Sequence, residues 1–107
     1  MSTESLQPQP DVLPEQFHRL AEIVREECAH LSSMREVVLH PAYQQIIGMG
    51  PQALPLILRE LEHKPEHWFW ALRSIAREDP VLPKHRGVVA EMTQDWLKWG
   101  RRKGLRW

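Results

Sequence analysis

The segment from residue 46 to residue 75, IIGMGPQALPLILRELEHKPEHWFWALRSI, constrains the fold more than any other part of the chain. Pro51 and Pro65 each suit the first position of a helix, where a missing N–H costs no hydrogen bond. The glycines just before Pro51 suit a tight turn. Apolar residues after each proline recur at the three- and four-residue spacing of an amphipathic helix. The segment therefore predicts two helices that meet across a short turn, Pro51–Glu62 and Pro65–Arg77.

The two predicted helices present different apolar faces. The first has a wide apolar arc, which predicts contacts with neighbours on more than one side; its members are Ala53, Leu54, Ile57, Leu58 and Leu61. The second has a narrower stripe, formed by Trp68, Phe69, Leu72, Ile75 and Ala76. This hairpin is the predicted centre of the domain.

Trp70 falls on the polar side of the second helix, together with Arg73 and Arg77. A tryptophan outside the core needs either another element of the chain or a partner to cover it. Tryptophan and arginine are also enriched at binding hot spots. We therefore predict that Trp70, Arg73 and Arg77 bind a partner. An intramolecular cover over Trp70 is the open alternative.

The spacing Gly-x-x-Ala-x-Pro-x-x-Leu-x-x-Leu, from Gly50 to Leu61, resembles the second part of a HEAT-type helical repeat. That resemblance implies a helical hairpin and a role in binding other proteins or nucleic acid. The longer pattern HPAYQQIIGMG…PLILREL…WFWAL also resembles short uncharacterised bacterial helical proteins. It implies no particular chemistry, because those proteins have no established activity.

Bulk properties narrow the class of protein. The chain has 107 residues, which predicts one domain, and its 14 basic and 14 acidic residues disfavour a globally basic nucleic-acid binder. The only cysteine, Cys28, cannot form an internal disulfide, so we expect a reducing, cytoplasmic location. No apolar run approaches the roughly 20 residues needed to cross a bilayer, and the N-terminal residues do not have the pattern of a signal peptide. We expect no membrane partner.

The remaining chain predicts further helices around the hairpin. Residues 1–12 are polar and rich in proline, so we expect a disordered or extended lead before a helical domain over 13–100 and a basic tail over 101–107. A helix over 14–31 has a straight apolar seam, formed by Leu13, Phe17, Leu20, Ala21, Val24, Cys28 and Leu31. The seam predicts packing within the domain. The alternative is self-association, or docking on a partner, through this helix.

Short helices are predicted between the first helix and the hairpin. Ser33 and Glu36 have the spacing of a capping box, so a helix is expected from Met34 to Leu39. Another opens at Pro41 and is expected to turn Tyr43, Ile46 and Ile47 inward. A last helix is predicted over Lys84–Trp99, with a core face formed by Val88, Val89, Met92, Trp96 and Trp99. The predicted fold is all-α, a small bundle of about five helices with a central HEAT-like hairpin.

The C-terminal residues form a second candidate site. Its members are Lys98, Arg101, Arg102, Lys103, Arg106 and Trp107. Cations could bind phosphates, and Trp107, predicted to be the free aromatic residue, could stack on a base. A solvated tail, favoured by the helix dipole alone, and an acidic protein surface are the alternatives.

The sequence has no motif that indicates catalysis or metal binding. His63 and His67 are separated by Pro65 in an expected turn, and neither HExxH nor Cys-x-x-Cys spacing occurs. Cys28 lies on an apolar helix face, as a buried thiol would. We therefore expect no enzyme activity, no metal and no cofactor. The predicted function is a non-catalytic protein-interaction module, a small accessory subunit or adaptor docking on a larger protein. The alternative is a nucleic-acid-binding accessory protein of a nucleoprotein assembly.

Overall fold

The computed structural model describes residues 12–31, 33–65 and 67–107, and these residues form an all-α bundle. No strand occurs within them, so the predicted fold class is confirmed. The described residues also form short 3₁₀ turns at Gly50–Ala53 and Pro83–His85. The α-helices are α1 (Val12–Glu27), α2 (Met34–Leu39), α3 (Pro41–Gly48), α4 (Leu54–His63), α5 (Phe69–Ala76) and α6 (Val89–Arg102).

Helices α3 and α4 occupy the middle of the bundle. Helix α1 packs mainly on α3, which also contacts α2 and α5, while α4 packs against α5 and α6. The predicted wide arc of α4 is confirmed, because Leu54, Ile57, Leu58 and Leu61 are all buried. Each buried aliphatic side chain of this size contributes about 1.5–3 kcal/mol to stability. Each of these six helices contributes to the largest fully buried side chains, which are Trp96, Tyr43, Phe17, Ile46, Ile57, Leu58, Leu61, Leu72 and Val37.

Helix α1 ends at Glu27, not at Leu31 as predicted. The chain turns there. The N–H of Leu31 donates at 3.1 Å to the carbonyl of Cys28, three residues earlier, whereas an α-helical N–H donates to the carbonyl four residues earlier. Four seam residues, Phe17, Ala21, Val24 and Cys28, are at most 2% exposed. This chain itself covers that part of the seam, so it does not remain as a free face for a second copy.

The short helices α2 and α3 lie where the sequence places them, but their caps differ. The side chain of Ser33 makes no capping hydrogen bond, so the predicted capping box is wrong in that respect. At the start of α3, His40 is the cap, because its Nδ1 accepts the N–H of Ala42 at 3.0 Å. Its Nε2 then donates to the carboxylate of Glu27 at 2.8 Å and ties α3 to the end of α1.

The hairpin of α4 and α5 forms, although its second helix starts later than predicted. Helix α5 begins at Phe69 instead of Pro65, with Trp68 as its N-cap, and it ends at Ala76. Arg77 follows with a left-handed backbone, φ 59°, a conformation that few non-glycine residues adopt.

Helix α6 begins at Val89 rather than at Lys84. Residues 83–85 form a 3₁₀ turn, and Gly87, with φ 86°, separates this turn from the helix. Val88 and Val89 are each 46% exposed, so their predicted place in the core is wrong. Trp96 and Trp99 are buried as predicted, and Met92 packs against the core.

Helix α6 ends at Arg102, and Gly104 follows its C-cap, Lys103. The N–H of Leu105 donates to the carbonyl of Gly100, and the N–H of Gly104 to that of Arg101, both at 3.0 Å. These two bonds and the positive φ of Gly104, 78°, form a Schellman motif. The motif turns the last residues back along the helix.

Candidate functional site

The first turn of α5 is held by a tyrosine from α3. The hydroxyl of Tyr43 donates to the carbonyl of His67 and accepts the N–H of Ala71 at 3.0 Å. Ala71 lies in the first turn of α5, where backbone N–H groups have no partner within the helix. The ring of Tyr43 also stacks on Trp68, with centroids 5.8 Å apart and planes 8° apart. Burial raises the pKa of Tyr43, so the hydroxyl stays protonated and can donate.

Trp70 lies in this same turn and projects away from the core. Trp68, two residues earlier, is 3% exposed, whereas Trp70 is 45% exposed. The outward placement predicted from the helical period is therefore correct. The guanidinium carbon of Arg73 lies 4.8 Å from the centroid of the Trp70 ring, within cation–π distance.

Trp70 stands between two clefts. One, of about 260 Å³, reaches from α2 across α5 to α6; its apolar lining is Met34, Phe69, Trp70, Val81, Met92 and Trp96. The other, of about 340 Å³, lies between α2 and α5 and is lined by Met34, Arg35, Val38, Leu39 and Trp70. Met34 and Trp70 belong to both clefts, so the two form one surface. We call it the Trp70 face and define its apolar part as Met34, Val38, Leu39, Phe69, Trp70 and Met92.

Cations surround the Trp70 face. Arg35 lines one cleft, and Arg73 and Arg86 line the other. The carboxylate there belongs to Asp79, which lies 3.0 Å from Nη2 of Arg86 and 3.8 Å from Nη1 of Arg73. The charged side chains that line the two clefts are thus three arginines and one aspartate.

The structure brings together only part of the predicted partner-binding set. Trp70 and Arg73 are in contact, but Arg77, which caps the end of α5, lines neither cleft. Arg35 and Arg86, which come from other elements, line the clefts but were not predicted. On α2, Val37 is buried, whereas Met34 is exposed at the start of the helix.

The C-terminal candidate site has a different arrangement from the predicted one. The ring of Trp107 packs against Gly100, and its Nε1 donates to the carboxylate of Glu62 at 3.1 Å. The expectation that Trp107 is free to stack on a base is therefore wrong. The Schellman turn brings Trp107 back to α6, and the contact is possible because Gly100 has no side chain there.

Two of the tail cations face carboxylates of the same chain. Nζ of Lys103 lies 3.0 Å from Glu78, and this hydrogen bond lowers the pKa of the Glu78 carboxyl. Nη2 of Arg101 lies 4.0 Å from Glu62. The other three cations of the set, Lys98, Arg102 and Arg106, are exposed and make no ion pair with any other described residue.

A buried carboxylate holds the loop before α6. Asp95 accepts from Nδ1 of His85 at 2.7 Å and from the N–H of Leu82 at 3.1 Å. Burial alone would raise the pKa of Asp95, but the hydrogen bonds from His85 and Leu82 outweigh it and the pKa is lowered. The arrangement fastens the Pro83–His85 turn to α6.

The other titratable groups offer little chemistry. Cys28 is buried, and burial raises the pKa of its thiol, which keeps it protonated. Over residues 12–31, 33–65 and 67–107, no three His, Cys, Asp or Glu side chains are grouped so that they could hold a metal ion.

Within the same ranges, none of the helices combines the length and the apolar character that a membrane span requires.

In comparisons with known proteins, no family model, no curated protein and no solved structure matched this chain. The fold and the Trp70 face therefore define its class, a small all-α protein with an exposed tryptophan between two apolar clefts.

Proposed function

We propose that this protein is a non-catalytic interaction module, a small accessory subunit or adaptor that docks on a larger protein through the Trp70 face. One observation carries the proposal. Trp70 is 45% exposed, beside Leu39 at 63% and Met34 at 38%, while the tryptophans of the core are only 1–4% exposed. Contiguous exposed apolar surface on a small protein commonly marks a binding site.

The residue types on this face are those that supply binding free energy. Burying a large apolar side chain contributes about 1.5–3 kcal/mol. Trp70 and Arg73, already stacked, belong to residue types that are enriched at hot spots. The stack also holds Trp70 partly in place before a partner arrives, which lowers the entropy lost on binding.

The shape of the face favours a protein partner over a small molecule. The two clefts, of about 260 and 340 Å³, lie below and at the lower end of the roughly 300–1,000 Å³ of most small-molecule sites. The larger cleft is lined almost entirely by apolar atoms and has few polar groups to orient a ligand. The resemblance of residues 50–61 to a HEAT-type repeat also agrees with protein binding. The free cysteine, Cys28, agrees with a reducing, cytoplasmic location for the protein.

Nucleic-acid binding through the basic tail is the alternative and has less support. The aromatic residue it needs, Trp107, is packed on Gly100, and Lys103 faces Glu78. The cations left for phosphates are Lys98, Arg102 and Arg106, which lie on α6 and its C-terminal extension.

The test compares the polypeptides that co-purify with the wild-type protein and with its Trp70→Ala variant, each purified from cells that express it. Leu82→Ala is the matched control, because Leu82 is also 45% exposed and lies outside both clefts. We expect a polypeptide that co-purifies in near-equal amounts with wild type and Leu82→Ala and is lost with Trp70→Ala. Equal capture by all three proteins would contradict the proposal.

A further inference from the structure

We propose that the segment docking on the Trp70 face is an acidic peptide, with a large apolar side chain that enters the cleft beside Trp70 and Met34 and flanking carboxylates that meet the arginines around it. This inference rests on the proposed function and adds the chemistry of the partner.

The charges around the face carry the inference. The whole chain has no net formal charge, yet the two clefts are lined by three arginines and one aspartate. Asp79 is shared between Arg73 and Arg86, at 3.8 and 3.0 Å, so one carboxylate faces two cations. Arg35, at the other end of the face, makes no ion pair with another described residue. Partners are selected by complementary charge, which here means carboxylates on both sides of an apolar anchor.

A second copy of this chain fits the face less well. A two-fold interface brings the same patch of both copies together. Two faces that each have more arginines than carboxylates would then be brought together, and like charges placed together oppose association. A partner with carboxylates at the same positions is free of this repulsion.

A single-stranded nucleic acid also fits less well, although it is negatively charged. Base stacking needs an open aromatic face, and Arg73 lies over the ring of Trp70. The neighbouring cleft is formed by Met34, Val38 and Leu39, whose aliphatic side chains match the apolar residues of a peptide. Guanidinium groups pair with carboxylates in a two-point geometry, so a peptide can satisfy both parts of the face.

The test is selection from a display library of random twelve-residue peptides. Four full-length proteins are used as bait: wild type, Trp70→Ala, Arg35→Glu, and Arg19→Glu as a charge-reversal control on α1, outside the face. We expect wild type and Arg19→Glu to enrich peptides that combine Leu, Ile, Phe or Trp with several Asp or Glu. Arg35→Glu should bind the best of these about five- to tenfold more weakly at low salt, with a smaller difference at high salt.

The outcomes separate this inference from the proposed function. Peptides that depend on Trp70 but show no acidic preference, or that bind Arg35→Glu as well as wild type, would overturn the inference and leave the proposed function standing. No Trp70-dependent enrichment at all would overturn both. Binding of a twelve-nucleotide oligothymidine, or a dimer in sedimentation, that is lost on Trp70→Ala would also overturn the inference, because the occupant of the face would then be of another class.

Discussion

The hydroxyl oxygen of Tyr43 lies 3.0 Å from the backbone nitrogen of Ala71, and this bond joins the middle of the bundle to the first turn of α5. The same hydroxyl reaches the carbonyl of His67, so it bonds to both sides of Trp68. Trp70 is the residue just before Ala71. Tyr43 therefore anchors, from 27 residues away in sequence, the turn of α5 on which Trp70 lies.

Replacing Tyr43 with Phe tests this relationship. The ring and its stack on Trp68 would remain, but the buried N–H of Ala71 and the carbonyl of His67 would lose their shared partner. An unsatisfied buried polar group costs about 1–3 kcal/mol, and we expect the free energy of unfolding to fall by about that amount. Urea denaturation measures it. A Tyr43→Phe protein as stable as wild type would show that the hydroxyl does not hold the turn.

Gly100 and Trp107 form a second testable contact. A Cβ at position 100 would lie 2.7 Å from Cδ1 of Leu58 and 2.9 Å from Cζ3 of Trp107. Leu58 is fully buried and cannot move away freely. Overpacking costs about 1–3 kcal/mol, while alanine gains up to about 1 kcal/mol of helix propensity, so we expect Gly100→Ala to be destabilising by about 1–2 kcal/mol.

A double-mutant cycle shows whether Trp107 is part of that cost. In a Trp107→Ala background the indole contact is gone, so Gly100→Ala should cost measurably less than it does in wild type. Strictly additive effects in urea denaturation would mean that the tail does not pack on α6.

The acid sensitivity of the protein should depend on Asp95. Its folded-state pKa is lowered from the usual 3.8. The stability that the ionised carboxylate contributes is therefore fully present above about pH 4 and is lost as the pH falls through the lower folded-state pKa. Asp95→Asn should be less stable than wild type at pH 7, because the anionic acceptor of His85 and Leu82 is removed. The difference in unfolding free energy should shrink below pH 3.8; a constant difference from pH 7 to pH 2 would contradict this account.

The basic tail gives a prediction about nucleic acid. Because Trp107 is packed on α6 and Lys103 faces Glu78, we expect at most weak binding of single-stranded oligonucleotides. Filter binding at several salt concentrations measures it. A steep loss of affinity with salt, abolished by truncation after Gly100, would instead support the alternative function.

Local patterns predicted much of the fold correctly. The buried arc of α4 and the outward position of Trp70 follow from helical spacing, which a sequence shows directly. The late start of α5 was not predicted, because Pro65 offers a local signal for an earlier start, whereas the bonds of Tyr43 to His67 and Ala71 are long-range and do not show in the spacing. Val88 was also misassigned. Helical spacing placed it on the core face of the last helix, but α6 begins only at Val89.

The candidate site was predicted only where it lies on one element. Trp70 and Arg73 are neighbours on α5, so their pairing is visible in the sequence. Arg35 lies on α2 and Arg86 follows a 3₁₀ turn, and only the packing of these elements against α5 places them on one face. Trp107 was misassigned for the same reason, since its contact with Gly100 depends on a chain reversal after α6.

The most direct test of the central claim is photo-crosslinking from position 39 in living cells. Leu39 is 63% exposed and lies beside Trp70 in the cleft between α2 and α5, so a photo-reactive phenylalanine analogue there probes the face while Trp70 is kept. We predict a discrete covalent adduct with another polypeptide, absent when Trp70 is replaced by Ala and absent when the analogue is at position 82. No adduct from position 39, or one that persists without Trp70, would contradict the assignment of the Trp70 face as a protein-binding surface.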